Sequence, residues 1–300
     1  MLCFSCSKPD SEGEYLLIEI DKGYIDIEIT GNVDSKVFII NLDHSFNQKD
    51  FLQTIDLNYA IVYLLYNNCI DGDKLDFANE TLIYLDLLVE VLHFEYGEDI
   101  DIFLLNKYLK ANIALKYADV GVHKSKINGI MVNNAFPNLE TAANLSRLKI
   151  IEYTQEIVDE KKSIDAIGNA IIDSISSFNI SDNSTAINYY NYLIKNNLFN
   201  DYFDDFTQIC DQNHVDRDMG LVCQENFDIN ENIPNITIPV GLFWKQHELL
   251  VPYSVVEEIY DNLPTENKEL YIFEKFCFPI FEDEDKQFTQ SVIEFVEKYK

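Results

Sequence analysis

The side chains that carry acid–base chemistry near neutral pH are histidines, because only an imidazole changes its charge in that range without strong perturbation. The chain has five histidines, and no histidine follows His247. We expect the other four to be surface or loop residues rather than catalytic bases; they are His44, His93, His123 and His214. A proton relay through an imidazole is therefore excluded from the part of the chain after residue 247.

Cysteine chemistry is the next to consider, since thiolates act as nucleophiles and bind metals. The six cysteines are Cys3, Cys6, Cys69, Cys210, Cys223 and Cys277. The first two have CxxC spacing, but no second pair and no Cys/His cluster at zinc-finger spacing accompanies them. We therefore expect no metal and no cofactor. In an exported chain, we expect Cys210 and Cys223 to form a disulfide.

The charge of the chain limits its partners. Lys and Arg total 22 against 52 Asp and Glu, which gives a formal net charge of −30. This charge repels phosphate backbones and anionic headgroups, so we expect no nucleic-acid partner. With 47% hydrophobic residues among 300, the chain can bury a large core. No apolar run reaches the ~20 residues that a membrane span needs.

The elements that must position any site alternate between strands and helices. Residues 15–20 and 24–29 are predicted to pair as a hairpin across Lys22-Gly23. Nearly continuous apolar runs predict further strands, which are buried on both faces, at 37–40, 60–65, 100–105 and 127–132. Apolar residues at helical spacing predict crossover helices at 79–94 and 109–118. The alternation predicts an α/β fold with a mostly parallel, doubly wound sheet flanked by helices.

From residue 137 to residue 235 the pattern changes to long amphipathic helices, predicted at 145–161, 164–178 and 185–197. The alternation then resumes, with strands predicted at 238–244 and 269–274 and helices at 254–263 and 288–300. We therefore expect three regions in the chain: an α/β core of residues 15–136 and 236–300, a helical insertion of residues 137–235, and a flexible N-terminus of residues 1–14.

Four segments resemble the α/β-hydrolase superfamily, and its proline iminopeptidase branch in particular. Residues 59–69 (YAIVYLLYNNC) are similar to the strand and Asp-Gln-Arg-Gly-Cys loop of that branch, and residues 103–118 (FLLNKYLKANIALKYA) to its strand-elbow-helix segment. Residues 238–252 (IPVGLFWKQHELLVP) resemble the segment of the catalytic acid, and residues 276–283 (FCFPIFED) that of the catalytic histidine. The resemblance implies an α/β-hydrolase fold in which residues 137–235 form a helical cap.

The side chains that such a hydrolase needs are missing at the matching positions. In the elbow motif G-x-S-x-G the serine position holds Tyr108, and the two glycines are replaced by Asn106 and Lys110. The acid position holds Glu248, and the histidine position holds Cys277. A phenol with a pKa near ~10 is a poor acyl acceptor at neutral pH, although the flanking lysines could lower that pKa. An acid without an imidazole to orient has no catalytic task.

The loops that would bind the reacting oxygen have also changed. Where the family has His-Gly-Gly-Pro-Gly after the first buried strand, this chain has Asn41-Leu42-Asp43-His44-Ser45. An anion hole needs N–H groups bared by glycine and no negative charge nearby, and Asp43 opposes both requirements. We expect the former site to bind rather than to react; its expected lining residues are Asn41, Tyr66, Lys107, Tyr108, Glu248 and Cys277.

Two classes of function therefore compete. The first is a catalytically inactive hydrolase-like protein that binds a small ligand or a protein partner through the former active-site cleft. The alternative is a hydrolase, a peptidase or esterase of the proline iminopeptidase type, that uses Tyr108, Cys277 or a residue of the cap. The aromatic residues of the cap could line the cleft or form ordinary core; they are Tyr189, Tyr190, Tyr192, Phe199, Tyr202, Phe203 and Phe206.

The first residues, MLCFSCSKPD, resemble the end of a bacterial lipoprotein signal peptide. In that interpretation Cys6 is the lipidated residue, the chain belongs to the bacterial cell envelope as a lipid-anchored or periplasmic protein, and it meets a membrane only through that anchor. In the alternative interpretation the segment is an irregular start of a cytoplasmic protein with two incidental thiols.

Overall fold

The structure is a computed structural model, which describes residues 14–20, 23–42, 55, 58–65, 77–136, 138–161, 165–195, 228–246, 248–273 and 282–300. Within these ranges, eight strands and seven α-helices follow one another along the chain. None of the described helices combines the length and the apolar character that crossing a bilayer requires.

The strands form a single sheet. They are β1 (Glu14–Ile20), β2 (Gly23–Gly31), β3 (Val37–Asn41), β4 (Ala60–Leu65), β5 (Asp101–Lys107), β6 (Gly129–Asn133), β7 (Val240–Lys245) and β8 (Lys268–Phe273). Their order across the sheet is β1-β2-β4-β3-β5-β6-β7-β8. The hairpin of β1 and β2 and the pairing of β2 with β4 are antiparallel, and the pairings from β4 to β8 are parallel. The predicted hairpin and the mostly parallel sheet are confirmed.

The helices are α1 (Phe77–Tyr96), α2 (Tyr108–Val120), α3 (Leu139–Glu160), α4 (Ala166–Ser176), α5 (Asn183–Lys195), α6 (Tyr253–Asn262) and α7 (Glu282–Tyr299). Every predicted helix is present, with shifted ends. The helix predicted from residue 145 begins at Leu139, because the side chain of Asn138 caps it by accepting a hydrogen bond of 3.0 Å from the Thr141 N–H. The structure does not test whether α3, α4 and α5 form a cap. The expected boundaries between the three regions of the chain also stay predictions.

Helices cover both faces of the sheet. Along β5 the side chains alternate, so that Ile102 and Leu104 face one apolar layer together with α1 and α2. Phe103 and Leu105 face a second layer together with Phe295 of α7. Because both faces of the central strands are covered, these strands are almost entirely apolar, and polar side chains are left to the strand ends.

The helix α7 packs unusually close to the sheet, and two glycines allow it. A Cβ atom on Gly129 would lie 2.8 Å from the ring of Phe295. A Cβ atom on Gly241 would lie 2.8 Å from the ring of Phe243 and 3.0 Å from that of Phe295. These positions on β6 and β7 therefore need glycine for space.

We expect Gly241→Ala to lower the free energy of unfolding by about 1–3 kcal/mol, because the added methyl group forces two aromatic rings to move. Denaturant unfolding measures the change. Phe295→Leu removes the ring that the added methyl group would contact. The double variant should therefore lose less free energy of unfolding than the sum of the losses of the two single variants. Strictly additive losses would contradict the close contact.

Candidate functional site

The carboxyl ends of the parallel strands meet at one edge of the sheet, which is where open α/β sheets bind ligands. Three of these ends carry buried asparagines. Asn41 ends β3, Asn106 precedes the last residue of β5, and Asn133 ends β6. The carboxyl edge of the sheet is therefore polar, whereas the interior of the sheet is apolar. We take this carboxyl edge as the candidate site.

The turn from β5 into α2 lies at the centre of this edge. Lys107 is the last residue of β5 and Tyr108 is the first residue of α2, so that no loop separates strand and helix. The φ angle of Tyr108 is 50°, a left-handed conformation that strains a residue with a bulky side chain. A sharp, strained strand-to-helix turn is the geometry of a nucleophile elbow, and here the half-buried residue on it is a tyrosine.

Glu248 lies beyond the end of β7 and is buried. Its Oε2 accepts a hydrogen bond of 3.0 Å from Nδ2 of Asn134, and its Oε1 accepts one of 2.9 Å from the Leu250 N–H. Burial raises the pKa of Glu248 above its ordinary value of 4.5, and the Leu250 N–H, the charge of Lys245 and the Asn134 amide partly oppose this shift. The carboxyl group is thus held by an amide and a backbone N–H.

Tyr190 on α5 connects the helices between β6 and β7 to this edge. Its hydroxyl donates a hydrogen bond of 2.8 Å to the carbonyl oxygen of Leu250. Burial raises the pKa of Tyr190 well above its ordinary value, and electrostatic interactions with Tyr189, Glu248 and Tyr108 raise it further. Tyr190 therefore stands within electrostatic reach of both the elbow residue and the buried acid.

The loop after β3 is tied to the elbow strand. The N–H of Leu42, the first residue past β3, donates a hydrogen bond of 2.8 Å to Oδ1 of Asn106. In the α/β-hydrolases that the sequence resembles, an N–H from the loop after this strand helps to bind the reacting oxygen. Here the first N–H of that loop is already bonded to a side chain of the protein.

A second asparagine on α2 fixes the loop after β6. Asn112 donates from Nδ2 to the carbonyl oxygen of Phe136 at 2.6 Å and accepts from the Phe136 N–H at 2.9 Å. The loop also contains Asn134, whose φ angle of 51° is one that asparagine tolerates better than most residues. This paired contact holds the loop from which Asn134 reaches Glu248.

The structure gathers some of the expected lining residues and leaves others undescribed. Tyr108 and Glu248 both interact electrostatically with Tyr190. Asn41 is buried at the end of β3, beside the elbow strand, and Lys107 is half-buried at the turn. The remaining predicted positions lie outside the described residues; they are Cys6, Tyr66, Cys210, Cys223 and Cys277.

Asn133 and Asn134 were not among the site residues expected from the sequence, and the hydrogen bond of the Asn106 amide to the loop after β3 was not expected either. A signal for the first two was present, because two adjacent asparagines follow a predicted buried strand. Tyr189 and Tyr190, two of the aromatic residues expected either to line a cleft or to form core, are buried core residues. The members of that group from Phe199 onward lie outside the described residues.

Two histidines are described, and both lie away from this edge. His93 is in the last turn of α1, and His123 follows α2. Since crossover helices run back along the sheet, both lie near the amino ends of the strands that follow. His93 is buried, not at the surface as expected, because the end of α1 packs on the sheet. Burial lowers the pKa of His93, and the charge of Lys126 lowers it further.

A metal site is not formed by the described side chains, among which no three His, Cys, Asp or Glu residues come together. His44, His214 and His247 lie outside the described residues.

No family model matches the sequence, and no curated protein matches it. Solved structures do match the fold. An alpha/beta fold family hydrolase from Bacillus anthracis is 16% identical with a TM-score of 0.56, covering 95% of this chain and 100% of that one. An esterase from Pyrococcus furiosus is 11% identical with a TM-score of 0.59, covering 100% and 98%. A monoacylglycerol lipase from Paleococcus ferrophilus is 12% identical with a TM-score of 0.54, covering 92% and 99%.

The chain therefore has the α/β-hydrolase fold, as an eight-stranded, mostly parallel sheet flanked by helices. The match extends over nearly the whole length of these hydrolases. At this identity it establishes the architecture, and the chemistry must be argued from the side chains at the carboxyl edge.

We expect Glu248→Gln to remove a pH dependence of stability. Because burial raises the folded-state pKa of Glu248, the folded state takes up this proton before the unfolded state does. The stabilisation from the protonated carboxyl group is complete below the pKa of Glu248 in the unfolded chain, about 4.5. It is lost as the pH rises through the pKa of Glu248 in the folded protein. The free energy of unfolding should therefore depend on pH differently in the wild-type protein and in Glu248→Gln between these two pKa values. Denaturant unfolding of both proteins from pH 4 to pH 8 measures the difference. Parallel curves would contradict a raised pKa.

We expect Tyr190→Phe to lower the free energy of unfolding by about 1–3 kcal/mol, since the buried carbonyl of Leu250 loses its donor. Tyr24→Phe is the matched control, because Tyr24 is 55% exposed and its loss should change stability by less than about 0.5 kcal/mol. Chemical denaturation of the three proteins measures the difference. Equal stabilities would show that this contact does not hold α5 to the loop after β7.

Proposed function

We propose that the chain is a non-catalytic α/β-hydrolase-fold protein that binds a small ligand or a protein partner at the former active site. The observation that carries this proposal is the left-handed turn at Tyr108, a strained elbow that holds a phenol where a hydrolase holds its nucleophile. Strain of this kind costs on the order of 1–3 kcal/mol and tends to cluster at functional sites. A strained turn without a nucleophile supports binding rather than catalysis.

The surroundings of the elbow support the absence of acyl transfer. Tyr108 is flanked by Lys107 and Leu109, with Asn106 and Lys110 at the glycine positions. The N–H of Leu42 is bonded to Asn106 instead of facing a substrate oxygen. The carboxyl group of Glu248 is held by Asn134, and its raised pKa weakens the negative charge that would stabilise an imidazolium.

We also propose that the helices α3, α4 and α5 act as the cap of this site and that the chain belongs to the proline iminopeptidase-like branch. The contact of Tyr190 with the loop after β7 supports the first proposal. The four sequence segments that resemble this branch support the second.

A second candidate is a hydrolase, a peptidase or esterase with rearranged catalytic residues. The electrostatic interactions of Tyr190 with Tyr108 and Glu248 favour it, since a phenol that loses its proton to a nearby carboxylate could attack a carbonyl group. The burial of Tyr190 argues against it, because the raised pKa makes the phenolate scarce at neutral pH. The two candidates predict opposite results in one assay.

We expect the protein to show no labelling by a fluorophosphonate and no turnover of p-nitrophenyl esters or aminoacyl anilides above the buffer rate. The physical reason is the absence of an activated nucleophile at the elbow. An active serine hydrolase, assayed in parallel, controls for the probes. Turnover that disappears in Tyr108→Phe or in Cys277→Ala would reverse the proposal in favour of the second candidate.

A further inference from the structure

The side-chain amide of Asn134 is buried, and only one of its two polar atoms is used. Its Nδ2 donates a hydrogen bond of 3.0 Å to Oε2 of Glu248. Its Oδ1 has no hydrogen-bond partner among the described residues, although the residue is 0% exposed. Folded proteins seldom leave a buried polar atom in this state, so the unused oxygen beside a carboxyl group calls for an explanation.

The carboxyl group of Glu248 determines which atom of this amide must face it. An ionised carboxylate only accepts hydrogen bonds, so it requires the Nδ2 donor of Asn134. A protonated carboxyl group also donates from its O–H, and a buried O–H requires an acceptor. Because Oε1 already accepts from the Leu250 N–H at 2.9 Å, the proton belongs on Oε2, the oxygen that faces Asn134.

A rotation of the Asn134 amide by half a turn brings Oδ1 to the place of Nδ2. In that orientation Oδ1 accepts from the protonated Oε2 of Glu248 and gains the partner that it lacks. The rotation costs Oδ1 no hydrogen bond to the described residues, because it makes none with them. Each protonation state of Glu248 therefore has an amide orientation that matches it.

We propose that Glu248 and Asn134 form a proton-driven switch, in which the carboxylate takes up a proton from solvent and the Asn134 amide reverses. The switch joins the loop after β7 to the loop after β6, which leads into α3. Reversal places the Nδ2 donor where the unused Oδ1 acceptor was, so a lower pH changes the hydrogen-bonding character of the carboxyl edge. This inference goes beyond the proposed function and does not depend on the loss of catalysis.

The ionisable side chains Lys245, at the end of β7, and Tyr190, on α5, interact electrostatically with Glu248. Burial raises the pKa of Glu248, and the Leu250 N–H and the charge of Lys245 oppose that shift. Burial also raises the pKa of the Tyr190 phenol well above its ordinary value, so Tyr190 stays neutral while Glu248 titrates. The loop after β6 contributes the uncharged Asn134. The group that changes its charge is therefore the Glu248 carboxyl group.

Asn138, further along the loop after β6, provides an internal comparison. Its Nδ2 also donates to a carboxyl group, that of Asp228, at 2.8 Å. Its Oδ1, however, accepts from the Thr141 N–H at 3.0 Å and caps α3. Because both atoms of this amide are used, a rotation would break the cap. Asn138 therefore lacks the second orientation that is open to Asn134.

The experiment is an NMR titration of the protein from about pH 4 to about pH 8, across the ordinary range of a carboxyl group and the range above it. It follows the Glu248 carboxyl carbon and the side-chain NH2 groups of Asn134 and Asn138. Above the midpoint of the Glu248 titration, we expect an NOE between the Asn134 NH2 protons and the Glu248 side chain. Below the midpoint this NOE should be lost, while the Asn138 amide keeps its orientation throughout.

Glu248→Gln should lock the switch. The glutamine amide can accept from the Leu250 N–H and donate to Oδ1 of Asn134, as the protonated carboxyl group does. We therefore expect the Asn134 amide of this variant to keep the low-pH orientation at every pH. The same variant assigns the carboxyl resonance of Glu248.

Asn134→Gly separates the switch from a fixed hydrogen bond, since glycine accepts the left-handed backbone at this position. An amide that bonds to both forms of the carboxyl group favours neither, so its removal should move the midpoint by less than about 0.5 pH units. An amide that bonds to the charged form alone would, on removal, let the midpoint rise by about one unit or more.

The inference is overturned if the Asn134 NOE persists through the titration, if Glu248 does not titrate in this range, or if Asn134→Gly raises the midpoint by about one unit or more. A Glu248→Gln variant that keeps the high-pH amide orientation would overturn it as well. Turnover in the ester and anilide assay would overturn the proposed function without bearing on these results.

Discussion

The left-handed backbone of Tyr108 lets β5 turn into α2 without a loop, and the other contacts of the carboxyl edge are arranged around that turn. Strand and helix must meet at a fixed angle there, which brings Asn106 beside the loop after β3 and Asn112 beside the loop after β6. A tyrosine gains nothing from this conformation by itself. The turn persists because hydrogen bonds and packing on both of its sides determine it.

Around the turn, asparagine side chains make the hydrogen bonds that hold the carboxyl edge together. The N–H past β3 bonds to an asparagine, and the acid position bonds to another asparagine. An amide both donates and accepts but transfers no proton near neutral pH, so it can hold a molecule without cleaving it.

The helices between β6 and β7 take part in the same network. The hydroxyl of Tyr190 reaches the loop after β7, and Trp244 donates to the next carbonyl of that loop, that of Val251, at 2.8 Å. The loop that carries Glu248 is thereby held from the sheet and from α5 at once.

The amino-acid sequence by itself determined the strands and helices. Burial on both faces of a parallel sheet requires apolar runs such as Phe103 to Leu105, and a helix packed on a sheet requires apolar residues three or four positions apart. It also placed Tyr108 and Glu248 at strand ends. Only the tertiary structure decided that Asn134 binds Glu248 and that Tyr190 binds Leu250, pairs separated by 114 and 60 positions in the chain. Such contacts follow from the order of strands across the sheet and from the return of α5 to its edge, which the local periodicity of a sequence does not encode.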